Sequence, residues 1–311
     1  MPDGFDLIKP GDIQSATYFR GGIVGQNGIG KTTWASTIPA VDARGEKHRV
    51  LYMSVDIENL RPVLAHKHYR PGKLSEWNGL LRVYELVAAS VQTPSPVTDV
   101  VFDTWSRMQD LAIGKVTGYS PTDPEKLKQY IERIPKRPSG WDGWGQVGAL
   151  MNEWMANFNR LPVNMYYLMQ EGDREVKYSE DVDTGPRLTP EAARGVKDAL
   201  EFIGRMYVEI NGQEVDVSES LTESPDKHHR KIDPGAVETR KLLVGKHERY
   251  FAKGPTHLLG RVIDNPTWNN TVLPILTQTP LPALGSKDNT GGGSRTAELY
   301  GSEFASPGAL Q

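Results

Sequence analysis

Residues Gly25-Gln26-Asn27-Gly28-Ile29-Gly30-Lys31-Thr32 are spaced as G-x-x-x-x-G-K-[ST]. Glycines at this spacing let successive backbone N–H groups converge on phosphate oxygens that a Cβ would obstruct. A lysine placed like Lys31 reaches the β- and γ-phosphates of a nucleoside triphosphate, and a hydroxyl placed like that of Thr32 is a Mg²⁺ ligand. The spacing therefore predicts a loop for ATP and Mg²⁺, with Thr33 completing the contacts. A strand from Tyr18 through Gly22-Ile23-Val24 leads in, and a helix from Lys31 to about Ser36 leads out. The N-terminal dipole of that helix would aim at the same phosphates. An ordinary glycine turn is the plain alternative, and both flanking elements argue against it.

Such a loop needs a carboxylate on the metal side, at the C-terminal end of a neighbouring strand. Asp103, after Val100-Val101-Phe102, is the candidate, since an acid behind buried apolar residues needs a partner for its charge. Its alternative role is the N-cap of the next segment. Hydrolysis also needs a group that orients or deprotonates water. Glu58 is the first choice and Asp56 the second, both at the end of the strand His48–Asp56, unless they only cap the segment after it. Gln170 ends a further strand, Val163–Gln170, where it or Glu171 could sense the γ-phosphate or begin a solvated loop.

These residues must be positioned by a sheet. His48–Asp56, Asp99–Thr104 and Val163–Gln170 read as buried strands. Trp144, Val147, Met151, Trp154, Met155 and Phe158 recur at helical spacing and predict a helix packed on them. Strands alternating with helices imply an α/β fold with a mostly parallel central sheet covered on both faces. Glu171–Arg187 lacks periodicity and reads as a mobile loop. A helix is expected over Pro190–Phe202, with Thr189 as N-cap. Arg205–Ile210 and Thr239–Gly245 suggest an antiparallel pair at the sheet edge, around a polar insertion at 211–238. The expected organisation is a lead-in at 1–15, one ATPase domain at 16–280 and a disordered tail at 281–311 rich in Gly, Ser and Thr.

Composition narrows the classes. The chain has 311 residues, a net charge of −3 and no cysteine, which excludes disulfides, cysteine zinc sites and thiol catalysis. Met1–Pro10 carries Asp3, Asp6 and Lys9 without an apolar run, unlike a signal peptide. No stretch approaches the roughly 18 apolar residues of a membrane helix. These features lead to the expectation of a soluble cytoplasmic protein. His228 and His229 lack further ligands at metal spacing and read as an exposed loop.

The loop GQNGIGKTT, the strands LYMSVDIE and VVFDTWS, and the block WDGWGQVGALMNEW with LPVNMYYLMQE after it resemble, in this order, the phage-encoded RecA-like ATPases. That group includes phage nucleotide-binding proteins and single-strand DNA annealing or recombination proteins. The resemblance spans Tyr18 to Leu276 and implies a RecA-like P-loop core. It assigns Glu58 as catalytic acid, Asp103 as metal-side acid and Gln170 as γ-phosphate sensor. It further implies a homo-oligomeric ring or filament with ATP between subunits, and Lys253 reaching the next subunit's phosphates. Pro255 stands where a late arginine is expected, so Lys246 or Arg249 could substitute.

Two segments, Gly114–Gly143 and Gly172–Leu188, would face DNA in such a core. The first holds Lys115, Lys126, Lys128, Arg133, Lys136 and Arg137, with Tyr119 and Trp141 able to stack on bases. Asp123, Glu125, Glu132 and Asp142 dilute that charge, as an ordinary solvated helix would. In the second, Arg174, Lys177 and Arg187 are outnumbered by acids. The resulting expectation is an ATPase acting on single-stranded DNA in phage recombination, annealing or replication inside the host cytoplasm. A single-strand DNA-binding protein or another replication protein could be its partner. The alternatives are a slow ATPase acting on a protein partner and a small-molecule kinase.

Overall fold

The computed structural model describes residues 18–56, 60–118, 143–175, 182–215 and 238–279. By its contacts the chain divides into Met1–Leu281 and Pro282–Gln311; the second unit, with the expected tail, lies outside the described residues. So do the lead-in, Glu58, Tyr119 to Asp142, and 216–237 with His228 and His229.

One ten-stranded sheet organises the described residues. In chain order its strands are β1 (Arg20–Gly25), β2 (Val50–Ser54), β3 (Tyr69–Lys73), β4 (Asp99–Asp103), β5 (Asn164–Glu175), β6 (Val182–Pro186), β7 (Phe202–Ile210), β8 (Gln213–Val215), β9 (Glu238–Leu243) and β10 (Val262–Asp264). They lie in the order β10-β9-β7-β1-β5-β4-β2-β3, with β6 paired to β5 and β8 to β7. From β3 to β7 every neighbour is parallel, and β9 and β10 add an antiparallel edge. This is the expected mostly parallel α/β sheet of a P-loop core. The pair β7 and β9 is antiparallel as expected and forms the edge extension together with β10, which pairs outside β9, while β7 joins it to β1. On the other side, Pro71 sits in the edge strand β3, where a missing N–H is tolerated.

The helices are α1 (Lys31–Ala35), α2 (Arg61–Leu64), α3 (Gly79–Ser90), α4 (Trp105–Thr117), α5 (Gly143–Asn159), α6 (Pro190–Ala199), α7 (Thr256–Leu259), α8 (Trp268–Thr271) and α9 (Leu273–Thr277). One face of the sheet packs α3 to α6 around Phe102, Trp105, Phe158 and Tyr167. Phe102 meets the Phe158 ring edge-on at 4.9 Å. The other face packs α1, α2 and α7 to α9 around Trp34, Tyr166 and Trp268. Each fully buried aromatic of this kind contributes about 2–3 kcal/mol. No described helix is long and apolar enough to cross a membrane.

One loop expectation is corrected. Glu171–Arg187 is mostly a hairpin: β5 runs on to Glu175 and β6 pairs with it antiparallel. The strand residues beyond Gln170, EGDRE, and those of β6, VDTGP, carry no apolar alternation in sequence, which is why the segment reads as a loop. The insertion likewise begins as a hairpin, since Asn211 (φ 52°) and Gly212 (φ 81°) turn β7 into β8. The Asn-Gly pair was the available signal.

Opposite the glycine-rich loop, a buried polar network ties the sheet's other end together. Asp99, which opens β4, has four partners: Thr98 Oγ1 (2.6 Å) and His48 Nδ1 (2.7 Å) at Oδ2, Asn164 Nδ2 (2.9 Å) and Tyr166 Oη (2.9 Å) at Oδ1. His48 Nε2 faces Asp42 Oδ2 at 3.6 Å. Burial works against a charged His48 ring, but its hydrogen bond to Asp99 and the charges of Asp99 and Asp42 outweigh that and raise its pKa. A raised folded pKa contributes stability that is complete below the unfolded value, about 6.5, and lost as pH rises through the folded value. Thermal melting should therefore show the parent chain losing stability as pH climbs through neutrality. His48→Asn should melt lower but lack that slope, and equal slopes would contradict the assignment.

Candidate functional site

Register brings the site together. Gly25 is paired with Gln170, and Asp103 lies opposite both Leu168 and Ser54, so β1, β5, β4 and β2 end along one edge. Gly25 closes β1 against β7: a Cβ there would stand 2.8 Å from the Met206 carbonyl oxygen, which admits only glycine. Ile29 anchors the loop in the core, while Asn27 and Gly28 are exposed at its crest. Gly30 has φ 103°, left-handed backbone that glycine supplies, and delivers the chain into α1. With five residues, α1 is as short as expected and little more than a turn, so the loop's N–H groups matter more than its dipole.

Lys31 is buried, and its ammonium donates to the carbonyls of Gly25 (2.7 Å) and Gln26 (2.6 Å). Burial pushes its pKa down to about 8, against the pull of Asp103 and Glu171. Anchored on the loop's own rim, the ammonium can turn to a phosphate without travelling far. Thr33 is exposed on the first turn of α1, and its carbonyl accepts from Ser36 Oγ.

Thr32 Oγ1 donates to Asp103 Oδ2 at 2.7 Å, and Tyr52 Oη donates to the same oxygen at 2.6 Å. Burial raises the Asp103 pKa, while the hydrogen bonds from Tyr52 and Thr32 and the charge of Lys31 oppose the rise. The N-cap of α4 is Thr104, whose side chain accepts from the Arg107 N–H, so Asp103 is not occupied in capping. Thr32 and Asp103 supply hard oxygen donors of the kind Mg²⁺ takes alongside phosphates. Among the described residues no group of three His, Cys, Asp or Glu could hold a metal by itself.

The other candidates divide. Gln170 lies beside Gly25, its N–H on Ser106 Oγ and its carbonyl accepting from Arg187. Glu171 is neither a solvated loop residue nor free to sense a phosphate. Its carboxylate pairs with the Arg205 guanidinium, both side chains 5% exposed, and Arg205 also reaches Glu214 at 2.6 Å. The Arg205 guanidinium carbon stands 3.8 Å from the centre of the Tyr250 ring. Asp56 pairs with Arg107 at 3.3 Å, and Glu58 lies outside the described residues. Lys253 is placed away from the loop. Its backbone pairs with Ile203, level with Gly22, and its ammonium donates to the carbonyls of Leu200 (2.9 Å) and Lys197 (3.2 Å) at the end of α6. Lys246 and Arg249 are exposed nearby in sequence.

Sequence reasoning missed Tyr52, Arg107 and Arg205. For Tyr52 the signal was a polar tip inside an apolar strand, on the face it shares with Ser54. Arg107 and Arg205 gave none, because their partners are set by register and helix placement.

A parallel sheet that ends in this loop, with a lysine on its rim and a threonine–aspartate pair beyond the next strand, defines a P-loop ATPase. Residues 17–256 match the AAA domain family, and the chain belongs to it. No curated protein matches the chain.

The hydrogen bond from Tyr52 favours the ionised form of Asp103, so removing the hydroxyl should raise the pKa of Asp103. Tyr52→Phe should then shift the acid limb of the ATPase pH–rate profile to higher pH. An unmoved limb would show that Tyr52 does not tune Asp103.

Proposed function

We propose that the chain is a RecA-like ATPase acting on single-stranded DNA in phage recombination, annealing or replication. What most supports this reading is β5, a single strand that passes from Gln170, beside the phosphate loop, into the β5–β6 hairpin. A change at the phosphate end can thus reach the paired strands of the hairpin within a few residues, as in switches that respond to a γ-phosphate. Asp103 sits two strands from the loop strand, with β5 between them, which suits this class.

In this reading ATP is held by Gly25 to Thr33, with Lys31 on its β- and γ-phosphates. Mg²⁺ would sit between Thr32 and Asp103 and neutralise charge on the transferring phosphoryl group. The Thr32 hydroxyl would turn from Asp103 to the ion, while Tyr52 keeps its hold on the carboxylate. Glu58 is the proposed water-activating acid, since Asp56 is drawn to Arg107. Gln170 is the proposed sensor. DNA would meet the hairpin and the segment after α4, whose last turn carries Lys115. Assembly into a ring or filament would bring a cation to the neighbour's ATP. Lys246 or Arg249 suits that role better than Lys253, which would have to leave the α6 carbonyls. The protein would work in the cytoplasm of a phage's host, alongside a single-strand DNA-binding protein or another replication protein.

The competing reading is a slow ATPase that acts on a protein partner. Hydrolysis measured with and without single-stranded DNA, at low and moderate salt, separates the two. The proposal expects stimulation by DNA that fades as salt rises, and Lys31→Ala should lose nucleotide binding and hydrolysis together. Slow hydrolysis indifferent to DNA would overturn the DNA assignment and favour the protein partner.

A further inference from the structure

Arg240 lies on β9, and strand alternation places it on the same face as Leu242, the face that carries α1. Its side chain rests against the phosphate loop. A Cβ on Gly30 would stand 3.2 Å from Arg240 Nε, 3.5 Å from Cδ and 3.7 Å from Cζ. An approach along the Nε–H bond would put both carbons farther out. The near-equal short distances mean that the flat face of the guanidinium covers Gly30, leaving its N–H edge along the rim of the loop. The side chain is 49% exposed, and its ion-pair partner among the described residues, Glu238, is 3.7 Å away, too far for a hydrogen bond. Among the described residues it is a planar cation with donors to spare, laid against Gly30 of the phosphate-binding loop.

The site also has a direction. The metal end, Thr32 with Asp103, lies on the β5 side of β1, whereas Arg240 approaches from β9 on the β7 side. A triphosphate whose γ end points to Asp103 must turn its nucleoside end toward Arg240. We propose that Arg240 is a nucleotide-binding residue that donates to the phosphate nearest the sugar, a role independent of Lys31 and of the metal. The assignment rests on the ATP-binding reading of the loop.

Affinities for ATP, ADP and GTP should be titrated for the parent chain and for Arg240→Ala at two salt concentrations. A half-exposed charged hydrogen bond predicts a loss of about tenfold. That loss should be equal for the three nucleotides and smaller at higher salt. The nucleotide-free melting temperature should stay that of the parent chain, because Arg240 and Glu238 are both exposed. Weakening of the triphosphates but not ADP would place Arg240 at the γ-phosphate, and unequal losses for ATP and GTP would place it on the base; either overturns the assignment, as does no loss. A parent chain that binds none of the three would overturn the ATP-binding reading itself, and this one with it.

Discussion

The carboxylate of Asp103 is buried at the end of a five-residue strand, and two hydroxyls donate to one of its oxygens. A charge in that position is costly unless it is answered. The answers come from two separate parts of the chain: Thr32 and, through its field, Lys31 after the loop, and Tyr52 on β2. Each needs the sheet order to be what it is. With β5 between β1 and β4, the loop can deliver Thr32 across to Asp103 while Gln170 lies beside Gly25. The site is therefore a consequence of strand register more than of any one residue.

The two ends of β4 make an instructive contrast. Asp99 and Asp103 share a strand face, and both are buried. Asp99 has partners on both oxygens from His48, Thr98, Asn164 and Tyr166, with Trp268 donating to the Tyr166 hydroxyl in turn. A carboxylate answered on both oxygens in this way fixes geometry and is taken up by its partners. Asp103 is held by fewer groups, and one of them, the Thr32 hydroxyl, sits on the first turn of α1 where it can turn toward a metal. One carboxylate locks the sheet and the other stays available for chemistry.

The loop and the parallel core were legible in the sequence because both depend on local pattern: glycine spacing in one, unbroken apolar runs in the other. Asp103 was legible for the same reason, as an acid closing an apolar run. Whether it capped a helix or faced the loop was not, since that turned on Thr104 taking the cap. The hairpin beyond Gln170 was missed because its sequence carries no apolar period. Glu171 was misjudged with it, because its partner Arg205, itself stacked on Tyr250, is distant in the sequence. Arg240 had no sequence signal at all, because its contact with Gly30 exists only once β9 has been laid beside β7.

The central claim is that Asp103 serves the metal rather than merely filling the edge of the core. ATP affinity titrated with and without Mg²⁺, for the parent chain and for Asp103→Asn, tests this most directly. Mg²⁺ should tighten ATP binding to the parent chain, and most of this gain should disappear in Asp103→Asn while metal-free binding survives. A variant that keeps the full Mg²⁺ effect would contradict the claim.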